Sequence, residues 1–123
     1  MSLRRIAIVG AGGMAREVAS AIQWINREKP KFEFVGYLVS DLSKLSERDS
    51  REAVLGDFEW MEKHRHAVDA FAIGIGTPSV RVRLSQQLSD AFPDIQWPVI
   101  VHPSAIVDYD SAKLGLSLIH ISE

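Results

Sequence analysis

The sequence predicts an α/β fold built on a doubly wound parallel sheet, and three features predict it. Ile6-Ala7-Ile8-Val9 is a continuous apolar run ending in Gly10, the texture of a strand covered on both faces. Gly10-Ala11-Gly12-Gly13-Met14-Ala15 follows directly and opens a helical pattern. Strand-like and helix-like stretches then alternate, with no internal repeat before His102, the order that builds a parallel sheet with right-handed crossovers.

Each element has its own signal. Val18, Ala19, Ile22 and Ile25 fall at helical spacing and place the first helix from about Ala15 to Asn26, with Pro30 ending the segment. Phe32 to Leu38 is a second strand, rich in aromatic and branched residues. Leu42 to Arg51 is polar with weak periodicity and reads as a mobile loop. Val54-Leu55-Gly56 is a short third strand, and Asp57 is a good N-cap for the helix after it. Ala70 to Ile75 is a buried strand, after which Val80, Leu84, Leu88 and Ala91 mark one face of a helix. Ile95 to Val101 gives a last strand, in which Pro98 suits an edge or a strand start. After His102 the texture changes. Ala105-Ile106-Val107 and Ala112-Lys113-Leu114-Gly115 repeat a small residue, a spacer and an aliphatic with no helical period.

Composition narrows the function. At 123 residues the chain fits one α/β domain and is too short for a dinucleotide domain plus a separate catalytic one. A hydrophobic content of 46% with 24% charged residues is that of an ordinary globular protein. Fourteen Lys and Arg against 16 Asp and Glu give a net charge of -2, which argues against a nucleic-acid partner. Without cysteine there is no disulfide, thiol nucleophile or thiolate zinc site. No apolar run approaches the ~20 residues that span a bilayer. The apolar run near the start is too short for a signal peptide, so a soluble cytoplasmic protein with no membrane partner is expected.

The glycine turn carries the chemistry. It satisfies G-x-G-x-x-A between a strand and a helix, where glycines let the backbone turn tightly and approach a phosphate facing the helix N-terminus. A dinucleotide site wants an acid near the end of the second strand to hold ribose hydroxyls. Val39 and Ser40 stand where that acid is most natural, and Asp41 comes late. Ile75-Gly76-Thr77-Pro78 closes the next central strand, on the crevice side. Arg81 reads either as a contact to a ligand phosphate or carboxylate or as an exposed arginine on the first helical turn. His64 and His66 lack a third ligand in sequence and read as a solvated pair rather than a metal site; no metal is expected. Trp24, Trp60 and Trp97 are scattered and read as packing residues.

Taken together, IAIVGAGGMAREVA, FVGYLVSD, VLGD, IGIGTPSVRVRL and WPVIVHPSAIV resemble the amino-terminal domain of bacterial sugar acyltransferases, the sialic-acid O-acetyltransferase type and the nucleotide-amino-sugar N-acetyltransferases. The resemblance runs from Ile6 to Gly115. It implies a Rossmann-like nucleotide-sugar-binding domain over 1–101 and, over 102–115, a linker and first coil of a left-handed β-helix of hexapeptide repeats. It further implies acetyl-CoA as cosubstrate, a homotrimer through the β-helices, a histidine base within them, and a place in surface-polysaccharide or glycan biosynthesis. By position it assigns Gly12, Gly13 and Met14 to the nucleotide-sugar, with Ser40 and Asp41, and Gly76 and Thr77 across the crevice; Gly10 joins them as the first glycine of the turn.

The sequence departs from that family in four ways. Met14 replaces a usual polar histidine, and Val39 a usual acid. The seven-residue step from Ala105 to Ala112 is not the hexapeptide period. The repeats stop after Gly115, so the base histidine is expected beyond the chain, no catalytic residue is assigned, and His102 does not match its position. Residues 116–123, LSLIHISE, match one reading frame of a transposon-type sequencing adapter, with a natural closing strand as the alternative. The fragment is then expected to be inactive, without acetyl-CoA, as a monomer or weak dimer. The alternatives are a NAD(P)-binding domain of an oxidoreductase and a regulatory nucleotide- or CoA-binding module.

Overall fold

The computed structural model describes residues 3–45 and 51–98. Four parallel strands, β1 (Arg4–Val9), β2 (Phe32–Leu38), β3 (Val54–Gly56) and β4 (Ala70–Ile73), stand in the order β3-β2-β1-β4. The helices are α1 (Gly13–Glu28) after β1, α2 (Phe58–Lys63) after β3, and α3 (Pro78–Ala91) after β4. The chain therefore moves outward from β1 to β3 and then crosses to the other side of β1, where β4 pairs. That reversal is the place where such sheets open a crevice at the carboxyl ends of their strands.

Strand alternation sorts the core into two layers. Ile6 and Ile8 of β1 and Ala70 and Ala72 of β4 pack with Ala15, Val18, Ala21 and Ile22 of α1. Ala7, Val9, Phe71 and Ile73 point the other way, with Met61 of α2 and Leu84 and Leu88 of α3. Because helices cover both faces, Ile6 to Val9 are at most 1% exposed, which is why β1 reads as an unbroken apolar run rather than an alternating one. The small side chains of Ala70 and Ala72 let α1 lie close to the sheet.

The structure adjusts several expected boundaries. Helix α1 begins two residues early, at Gly13, and runs on to Glu28. Strand β4 stops at Ile73, because Gly74 lies under the start of α1. A Cβ on Gly74 would stand 2.6 Å from the Cα of Ala15, so the chain leaves the sheet there after one last bond from the Gly74 N–H to the Val9 carbonyl at 2.8 Å. Leu42 to Arg51 is not simply a loop: Leu42–Lys44 and Arg51–Ala53 are single turns of 3-10 helix. Of the expected last strand, the described part contributes one parallel bridge, Gln96 to Ala70. Pro98 has no N–H to extend that ladder. The rest of that strand, the linker with His102, the β-helix stub and the tail lie outside the described residues. Among the described residues no helix is long and apolar enough to cross a membrane.

Candidate functional site

The glycine turn sits where β1, β2 and β4 end. Gly10 takes φ +115°, a conformation that side-chain-bearing residues rarely adopt, and a Cβ there would meet the Gly74 carbonyl oxygen at 2.7 Å. Gly10 is thus demanded by the fold. Gly12 is different. It has an ordinary φ of -87°, and a Cβ built on it meets nothing within 4 Å among the described residues. On Gly13 the nearest atom is Arg16 Nη2, 3.9 Å away. Among the described residues there is room for side chains at both positions, and the backbone is open there.

A cleft of about 170 Å³ opens beside this turn, lined on one side by Val9, Gly10, Ala11 and Gly12 and on the other by Val39, Ser40, Asp41 and Leu45. Ile75 and Leu84 close the β4 side. The volume is below the ~300–1,000 Å³ of a pocket enclosing a drug-sized ligand, so a ligand of that size would be only partly enclosed by it.

Charge at the three helix starts on this edge is uneven. Helix α2 is closed by its own acid, since the Asp57 carboxylate accepts the Trp60 N–H at 3.0 Å and Glu59 lies in the first turn. Helices α1 and α3 carry no acid in the first turn and no side-chain cap bond at Gly12 or Thr77. The positive end of α1 therefore faces the cleft with no carboxylate of its own to compete with a phosphate. On β2, burial raises the Tyr37 phenol above its ordinary value and Arg16 partly offsets the rise, so Tyr37 stays neutral at physiological pH.

Of the residues expected at the site, Gly10, Gly12, Ser40 and Asp41 come together in the lining. Gly13, Met14, Gly76, Thr77 and Arg81 do not line it. Met14, 37% exposed, reaches instead toward Gly76, its Cε 3.9 Å from where a Cβ on that glycine would stand. Arg81 is half-buried in the first turn of α3, its N–H bonded to the Thr77 carbonyl at 3.0 Å. Asp41 serves its own loop, where its Oδ1 accepts the Ser43 N–H at 2.9 Å and the Ser43 hydroxyl at 2.6 Å and so caps the 3-10 turn. Val39, where a ribose-binding acid belongs, is buried among the α1-side core residues.

The residues missed by sequence reasoning are apolar ones, Val9, Ala11, Leu45, Ile75 and Leu84. Leu45 had one signal, being an aliphatic in an otherwise polar stretch. The histidine pair is exposed, and His64 stacks on Trp60 at 4.3 Å. A second hollow, about 290 Å³, lies at the amino ends of β1 and β4 among Arg5, Arg65, His66, Asp69, Asp94 and Gln96. It is larger, but it is on the edge of a parallel sheet that ligands do not use, so the carboxyl-edge cleft is the candidate.

The family model described as the PglD N-terminal domain matches residues 5–88, from β1 into α3. The chain belongs to this family, the N-terminal domain of PglD-like nucleotide-sugar acetyltransferases. No curated protein matches the chain. The PglD N-terminal match spans both walls of the cleft, from the glycine turn through Leu45 and on to Ile75 and Leu84. It links the domain to the nucleotide-sugar-binding part of an acetyltransferase.

Proposed function

We propose that the carboxyl-edge cleft binds a nucleotide-sugar, with its diphosphate against the backbone of Gly12 and Gly13 at the start of α1. The observation that carries this reading is the empty space over Gly12, a glycine the fold does not need. Ser40 and Asp41 border the far wall, and Gly76, Thr77 and Arg81 lie further along the edge, toward the sugar. Met14 reaches toward Gly76 on that side.

In the full-length cytoplasmic enzyme, the reading assigns acetyl transfer to a following β-helix and its trimer. There a histidine base takes the proton of the acceptor amine or hydroxyl as that group attacks the thioester carbonyl, and the CoA thiolate leaves. This domain's part is to bind and orient the acceptor. Acetyl-CoA is given no residue in it, and the 123-residue chain alone is expected to scatter light as a monomer or weak dimer. A stable trimer would contradict that.

A nicotinamide dinucleotide fits less well, because Val39 offers a ribose diol no acceptor and the Asp41 Oδ1 is occupied by Ser43. Calorimetric titration with a UDP-sugar and with NAD separates the readings. Heat from the UDP-sugar and none from NAD is expected; binding of NAD alone would overturn the proposal.

A further inference from the structure

One wall of the cleft is held from behind. Arg51 Nη2 donates to the Leu45 carbonyl at 2.9 Å, and Leu45 lines the cleft while packing on the α1-side core beside Ala53 and Val54. Arg51 is itself fixed to the sheet. It starts the turn Arg51–Ala53, which lies on β2 where Gly36 has no side chain; a Cβ there would stand 2.6 Å from the Ala53 carbonyl oxygen. The stretch from Val39 to Leu45 is therefore pinned twice, by the Asp41 cap at its start and by Arg51 at its end.

We propose that Arg51 is a positioning residue of the nucleotide-sugar cleft, holding the Leu45 wall in place through the Leu45 carbonyl. This rests on the functional reading above. Arg51 is exposed, so its bond adds little to the stability of the fold. Its effect falls on binding, because a wall already in place need not be ordered when the ligand arrives. A guanidinium suits this role, since its rigid fork keeps one N–H on the carbonyl while its stem spans from the Arg51–Ala53 turn.

The test is calorimetric titration of a UDP-sugar into the wild-type chain, Arg51→Ala, Arg51→Lys, Leu45→Ala and the Arg51→Ala/Leu45→Ala double variant, with thermal melts of each. Arg51→Ala is expected to weaken binding about three- to tenfold, as loss of one solvent-exposed hydrogen bond does, with the melting temperature within about 2 °C. Arg51→Lys should recover part of the affinity. In the Leu45→Ala background, Arg51→Ala should cost little more: the bond to the main-chain carbonyl can still form, but the leucine side chain it positions against the ligand is gone. Equal affinity of wild type and Arg51→Ala overturns the proposal, as do losses that add in the double variant, or a fall in melting temperature that accounts for the loss. Failure of the wild-type chain itself to bind the UDP-sugar is a different result: it removes the functional reading, and this proposal with it.

Discussion

Gly10 and Gly12 stand two residues apart in one motif, and the physics separates them. At Gly10 any side chain meets both a left-handed backbone and the Gly74 carbonyl, so Gly10→Ala should destabilise the fold by about 1–3 kcal/mol in denaturant titration. At Gly12 a side chain has space, and Gly12→Val should cost no more than the ~1 kcal/mol of a poor N-cap. The same substitution should weaken nucleotide-sugar binding about tenfold or more, because the valine occupies the ligand's place against the backbone. A Gly12→Val protein that binds as wild type would count against the site. At the opposite edge, Arg5 grips Asp69 with Nε on Oδ2 and Nη2 on Oδ1, each at 3.0 Å. The hydrogen bonds from Arg5, first its side chain and then its backbone, hold the Asp69 carboxyl below its ordinary value. A carboxylate lowered in this way stabilises the fold above its unfolded value and loses that contribution as pH falls through the folded one. Urea midpoints of wild type should thus drop on acidification below about pH 4, and Asp69→Asn should flatten that drop. The pair is partly exposed, so the effect is small.

At the scale of elements, the joint between α1 and β2 depends on one amide. Asn26 Oδ1 accepts the N–H groups of Lys31 and Phe32 at 3.0 and 3.1 Å, and its Nδ2 donates to the Phe32 carbonyl at 2.8 Å. Asn26→Ala should lower stability by about 1–3 kcal/mol in chemical denaturation while leaving ligand affinity unchanged, since the joint is at the amino end of β2. A loss of affinity at full stability would be the contrary result. Asn26 shows what a sequence hides. It was visible only as the end of a helical period, because nothing local says which distant backbone an amide will bond. Elements defined by burial were legible: β2 and β3 have the bounds their aromatic and branched runs suggest, and Asp57 caps α2 as its residue type implies. Elements limited by contact were not. The end of β4 depends on Ala15 lying over Gly74, and the turn at Leu42 depends on Asp41 bonding Ser43. The site divides in the same way. The backbone-defined residues Gly10 and Gly12 could be read from the motif, whereas Leu45 and Leu84 enter the cleft only through folding of a loop and docking of α3.

For the whole molecule, strand order, helix charge and the glycine turn agree on one place. The strand order reverses beside β1, α1 starts there without an acid, and Gly12 leaves its backbone bare. The larger hollow at the amino ends of β1 and β4 offers mixed charges and no such convergence. The most direct test is to follow backbone amide signals of the isotope-labelled chain by nuclear magnetic resonance while a UDP-sugar is added. The account predicts saturable shifts centred on Gly10, Gly12, Gly13, Ser40, Asp41 and Leu45, absent in Gly12→Val. Shifts centred instead on Arg5, Arg65, Asp69 and Gln96, or none at any residue, would contradict it.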